Sequence, residues 1–210
     1  MPDQIVSETD RLRAREASIT GHAPRIPPMA PDEFTEEMHE STRALRRAAG
    51  LPPEAPIPEY VATALRHPSL YRAHTALAIL LMSQGALPVR DRELAVLRTG
   101  WLCEAPFEWG EHVAMGKRVA GITDEEIERV IVGSSAPEWD EHDRAILRAV
   151  EELRADSIIS QPTWDVLSQR LDDQQLIELP ILIAQYMGVA FIQNSLRIRL
   201  MEGNIGLAAR

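Results

Sequence analysis

From Asp32 onward the chain alternates between two kinds of segment: stretches where apolar residues recur every three or four positions, and short breaks marked by proline or glycine. That period is the signature of helices that bury one face. Ile146, Leu147, Val150 and Leu153 show it well, within a helix predicted from Pro137 to Ala155. Proline suits a helix's first turn and glycine its end, so the breaks set further boundaries. Asp32 is read as the cap of a helix to about Ala49, ended by Gly50, and a short helix is expected over Glu59 to Arg66. Pro68 opens a helix carrying Tyr71 to Gln84, Pro88 one running through Glu93 to about Cys103, and Pro106 one closed by Gly121. Thr123 with Glu126, and Asp172 with Gln175, have capping-box spacing. Pro162 opens another helix, and Pro180 is expected to kink or restart the last before an apolar run to about Met201. No alternating strand pattern of useful length is present. The prediction is an all-α chain of about eight or nine helices joined by short loops.

Residues 1–31 break the pattern. They are polar and then proline-rich, with Pro24, Pro27, Pro28 and Pro31. An extended or flexible N-terminal arm is expected there, a candidate to pack on a neighbouring subunit, with residues 32–210 as a single helical domain. The nearly apolar run Ile181 to Ile192 is much shorter than the roughly 20 residues a membrane helix needs, so it reads as a buried helix and no membrane partner is expected. No apolar secretory segment is visible near the N-terminus. With one cysteine, Cys103, an intrachain disulfide is impossible, which fits a cytoplasmic protein. A formal net charge of −10 without a basic stripe argues against nucleic acid as a partner.

The candidate chemistry lies in two adjacent predicted helices. Glu108 and His112 are four residues apart, one turn along a single helix face, and Glu93 precedes His112 by nineteen residues. Two acids and an imidazole can converge there for general acid or base work; the alternative is polar decoration of amphipathic helices. A metal site is not expected, since neither His-Glu-x-x-His nor a Cys/His cluster occurs. Arg98 and Arg197 can bind a substrate carboxylate or can serve in ion pairs. His67 reads as a capping residue, His74 as a core histidine, and Cys103 as a small buried hydrophobe.

Three blocks carry a resemblance: Leu87-Pro-Val-Arg-Asp-Arg-Glu-Leu-Ala-Val-Leu-Arg98, then Phe107-Glu-Trp-x-x-His112, then Ala120-Gly-Ile-Thr-Asp-Glu-Glu-Ile127. Together with Leu65 to Leu70, Trp139 to Leu147 and Gln185 to Gly188, they resemble the carboxymuconolactone decarboxylase family, which shares its fold with alkylhydroperoxidase D. The likeness spans roughly residues 57–195. It implies an all-helical fold assembling as a homo-oligomer, a trimer or a dimer of trimers. The peroxidase branch uses a Glu, a CxxC pair and a His; Glu93 and His112 match its outer members, but its cysteines fall at Ala105 and Glu108. No second sulfur can then resolve a sulfenic acid. The Glu-Trp-x-x-His version resembles the decarboxylase-like branch. That implies a cofactor-independent enzyme of aromatic catabolism acting on a small carboxylated lactone or ring-cleavage product, with His112 as acid or base and Glu108 and Glu93 in support. Isomerisation or hydrolysis of a related product, and a noncatalytic binding protein of the same fold, are the alternatives.

Overall fold

The computed structural model describes residues 7–210, which form ten α-helices and no strand. In chain order these are α1 (Glu8–Thr20), α2 (Glu36–Ala48), α3 (Glu59–Ala64), α4 (Pro68–Ser83), α5 (Val89–Leu102), α6 (Pro106–Ala120), α7 (Asp124–Val132), α8 (Glu141–Asp156), α9 (Gln161–Leu167) and α10 (Asp173–Leu196). The described chain divides into two compact units: residues 7–23 with Leu87–Arg210, and Pro24–Ala86.

In the first unit α5 is the central element. It packs against α6, α7, α8 and α10, and Leu94, Ala95 and Leu97 on it are completely buried. α6 passes alongside Gly100, where a Cβ would stand in ordinary contact with the Trp109 backbone at 3.6 Å. The C-terminal tail is tied to α6, where Trp109 Nε1 donates to the Ala209 carbonyl at 3.1 Å and Asn204 Nδ2 to the Phe107 carbonyl at 3.0 Å. A side chain at Gly110 would collide with Asn204, so a residue without a Cβ is required for the tail to dock. In the second unit Val61, Leu65 and Tyr71 form a small core with Met29, Phe34 and Met38 packed on it. Arg66 Nε donates to the Pro27 carbonyl at 2.7 Å and pins the proline-rich segment to α3's end.

The helix boundaries differ from expectation at a few places, each with a local cause. Thr35, rather than Asp32, caps α2 by accepting from the Met38 amide. Residues 31–33 form a separate 3-10 turn. Asp140 caps α8 through the Asp143 amide, so that helix starts later than Pro137. Its last residue, Asp156, extends one position beyond the expected Ala155. α10 runs through Pro180 without a break, because it is anchored along most of its length by buried residues from Leu176 to Gln193. It ends at Leu196 instead of near Met201, with Arg197 turning in left-handed conformation at φ 57°.

The N-terminal arm is corrected over Glu8–Thr20, which is helical and capped by Ser7; the residues before Ser7 lie outside the described chain. Arg11 and Arg15 both pair with Glu104, and Glu16 accepts from the Leu207 amide at 2.7 Å. These ties let a polar segment with one buried residue, Ile19, hold helical form. The apolar-run argument against a membrane span also changes. At 24 residues, α10 is long and apolar enough by length and composition to cross a membrane, and half of its most apolar window is buried within the protein.

Candidate functional site

α5 and α6 bring Glu93 and His112 together across the nineteen-residue interval, and α6's own turn places Glu108 beside the ring. His112 Nδ1 lies 2.9 Å from Glu93 Oε2, and His112 Nε2 lies 3.2 Å from Glu108 Oε1. All three side chains are buried; Glu93 is completely enclosed and His112 is 6% exposed. Both ring nitrogens therefore face carboxylates, which is the arrangement of a doubly protonated imidazolium.

Three neighbours complete the cluster. Arg92 Nε donates to Glu93 Oε1 at 3.0 Å. Gln193 Nε2, from α10, donates to Glu108 Oε2 at 2.8 Å. The Tyr186 ring meets His112 edge-on, with centroids 5.1 Å apart. Two carboxylates, one imidazolium and one guanidinium sum to zero charge, which is how four ionisable groups can share a buried site. Gln193 also carries a buried carbonyl oxygen, Oε1, that accepts no hydrogen bond among the described residues.

The electrostatics follow. Burial disfavours the charged ring, but the Glu93 charge and the hydrogen bonds from Glu108 and Glu93 outweigh it and push the His112 pKa up to about 10. Burial likewise opposes ionisation of Glu93, yet the nearby His112 and Arg92 charges hold its carboxyl below the usual range. Burial, with Glu108 and Glu93 close by, raises the Tyr186 phenol well above its usual value, so it stays neutral. At neutral pH His112 is an acid rather than a base.

The other predicted residues lie apart from this cluster. Arg98 is committed to structure: it grips Glu151 through Nε and Nη2 at 2.9 and 2.8 Å, and its Nη1 donates to the Val130 and Ile131 carbonyls at the end of α7. Its guanidinium has no donor fork left for a substrate carboxylate. Arg197 is the C-cap of α10. Cys103, at the end of α5, is half-buried, and burial raises its thiol pKa despite Arg154 and Arg15 nearby. The thiol is protonated at neutral pH and so is a poor nucleophile. His67 caps α4, its Nδ1 accepting from the Leu70 amide.

Sequence reasoning missed Tyr186 and Gln193. Both stand on α10's buried face, seven residues apart, and a polar pair at that spacing inside an apolar helix is the signal that marks them. It also missed a second buried pair, His142 Nε2 to Asp91 Oδ2 at 2.7 Å, which links α8 to α5. Arg90 runs alongside, bridging Glu126 and Asp143, so the pair sits in a network that clamps α5, α7 and α8. No group of three or more His, Cys, Asp or Glu residues arranged to hold a metal ion occurs among the described residues.

Comparisons with known proteins agree with this architecture. No curated protein matches the chain. An AhpD-core, peroxidase-related protein from Ralstonia eutropha JMP134 is similar in structure, with a TM-score of 0.72 at 17% identity over 86% of this chain and 94% of that one. The debrominase Bmp8, in a cysteine-to-alanine form bound to 2,3,4-tribromopyrrole, has a TM-score of 0.68 at 13% identity, covering 85% and 92%. A protein of unknown function from Agrobacterium tumefaciens has a TM-score of 0.58 at 21% identity, covering 66% and 94%. At these identities the likeness establishes the AhpD-like fold. Residues 68–152, the segment that holds Glu93, Glu108 and His112, match the Carboxymuconolactone decarboxylase family.

Proposed function

We propose that this protein is a cofactor-independent enzyme that uses the His112 imidazolium to protonate a small carboxylated substrate, with decarboxylation of a lactone or ring-cleavage product of aromatic catabolism as the leading reaction. The observation that carries this reading is the imidazolium held between Glu93 and Glu108. In the reaction, the bond from the substrate carbon to its carboxylate breaks and carbon dioxide leaves. The electron pair delocalises into the conjugated lactone as an enolate, and a proton from His112 completes the new C–H bond. In this reading Nε2 delivers the proton, its contact to Glu108 being the longer of the two at 3.2 Å, while Glu93 holds Nδ1. The same donor serves a proton-shift isomerase or a hydrolase acting on a related product. A cytoplasmic homo-oligomer, trimer or dimer of trimers, belongs to this proposal; the exposed apolar side chains of Ile177 and Ile181 on α10 support it.

One observation favours a second reading. Both His112 ring nitrogens are engaged and the ring is nearly enclosed, which suits a charge lock inside a noncatalytic binding protein. Two variants separate the readings, assayed on a panel of carboxylated muconolactones by ultraviolet absorbance and released carbon dioxide. His112→Gln removes the cation and leaves two buried carboxylates facing each other, so it lowers stability by about 3–5 kcal/mol as well as activity. His112→Gln combined with Glu108→Gln removes one of those carboxylates and recovers much of the stability. On the enzymatic reading the double variant still turns over at least about a hundredfold more slowly than wild type. Wild-type turnover in the double variant would refute the proton-donor role.

A further inference from the structure

Four elements of the first unit enclose an open cleft of about 300 Å³, away from the three-residue cluster. Arg15 comes from α1, Cys103 from the end of α5, Arg154 from the last turn of α8, and Met187, Phe191 and Asn194 from one face of α10 at i, i+4, i+7 spacing. Two guanidiniums flank a thioether, an aromatic ring and an amide.

Several observations distinguish this place from an ordinary surface hollow. The chain carries 32 acidic against 22 basic residues, yet no carboxylate lines the cleft. Arg154 makes no hydrogen bond or ion pair among the described residues. Arg15 Nε is buried without a hydrogen bond, and its contact with Glu104 is long, at 3.4 Å, on a carboxylate that Arg11 also claims. Phe191 is 61% exposed, an unusual position for a phenylalanine on a helix whose other face is core. The wall is fixed in place by Asn194 Nδ2, which donates to the Cys103 carbonyl at 3.2 Å.

An unpaired Arg154 and an Arg15 held only by its long, shared contact with Glu104, beside an apolar wall, match a ligand that is anionic at one end and flat and apolar at the other. We propose that this cleft binds a small aromatic or conjugated monocarboxylate, with its carboxylate between Arg15 and Arg154 and its body against Met187 and Phe191. The neighbouring residue on α10, Gln193, hydrogen-bonds Glu108, so one turn of one helix connects the cleft to the imidazolium cluster. As the substrate's anchoring site the cleft depends on the enzymatic reading above; as a carboxylate site it stands independently.

The test needs no turnover. Cys103 is the only cysteine in the chain, so its alkylation by iodoacetamide, read by mass spectrometry on the intact protein, reports occupancy of the cleft. Saturating benzoate is expected to slow alkylation at least tenfold, and benzamide, which has the same ring without the charge, to change it less than twofold. In Arg154→Gln, which changes an exposed side chain, half-protection is expected to require at least ten times more benzoate. Calorimetry of benzoate binding is expected to follow the same order. The proposal is overturned by absence of protection, by binding heat without protection, by equal protection from benzamide, or by an unchanged benzoate requirement in Arg154→Gln. A failed cleft leaves the His112 variants informative, and a silent His112 leaves the cleft intact.

Discussion

His112 sits where its charge is both necessary and costly. Enclosure removes water from the ring, and only the flanking carboxylates make the protonated form the stable one. Its folded pKa, about 10, lies above the value of about 6.5 it has when unfolded. The stabilisation it contributes is therefore fully present below about pH 6.5 and is lost as pH rises through about 10. Glu93 acts in the opposite direction: its lowered pKa adds stability above the ordinary glutamate range, which is lost as pH falls through the depressed value. Urea unfolding of the wild type is expected to lose on the order of a few kcal/mol between pH 7 and pH 10 relative to the doubly substituted His112→Gln, Glu108→Gln protein. Parallel pH profiles for the two proteins would remove the imidazolium from the account.

At the scale of elements, the fold depends on α5 being held from all sides. Arg98 anchors one side by binding Glu151 of α8 and the last carbonyls of α7. Gly133 makes room for it. With φ at 96°, and with the Arg98 guanidinium and Glu151 carboxylate where a Cβ would stand, this position excludes side chains on two counts. Gly133→Ala is expected to cost about 2–4 kcal/mol, combining backbone strain with a disrupted buried ion pair. In a thermal melt that is a fall of roughly 5–15 °C; an unchanged midpoint would show that Arg98 can be displaced without penalty.

Much at this scale was legible in the sequence. Pro68, Pro106, Gly121 and the Thr123–Glu126 capping box punctuate the chain with local chemistry, and the helices α4, α6 and α7 follow them closely. The convergence of Glu93, Glu108 and His112 was legible for the same reason: two of them share a helix turn, and the third lies one hairpin away. Tyr186 and Gln193 were not, because they reach the cluster from α10 across more than seventy residues of chain, and no local rule specifies which helix closes over the site. Arg98 misleads in sequence since a buried arginine and a substrate-binding one look alike until the partners are seen. The N-terminal helix was hidden because Glu104, Leu207 and the other anchors of α1 are distant in sequence.

At the scale of the molecule, two features shape what the protein does. The AhpD-like bundle places an imidazole and its carboxylates at the junction of α5 and α6, but this chain has replaced the cysteine pair of the peroxidase branch with Ala105 and Glu108. The sulfur that remains, Cys103, is held as a protonated thiol. On the proposed reading, the ionisable groups of the site serve proton transfer rather than thiol redox chemistry. A chain of net charge −10 carries a cationic cleft one turn of α10 from that site, so an anionic ligand gains from the cleft what it loses in approaching the surface.

The central claim is the protonation state of one ring. Nitrogen-15 NMR of the histidine side chains reads it directly, with the His112 signals assigned by their loss in His112→Gln. At pH 7.5 both His112 nitrogens are expected to carry protons, and deprotonation is expected near pH 10. A neutral ring at pH 7.5, titrating near 6.5 as an ordinary histidine does, would contradict the proton-donor account.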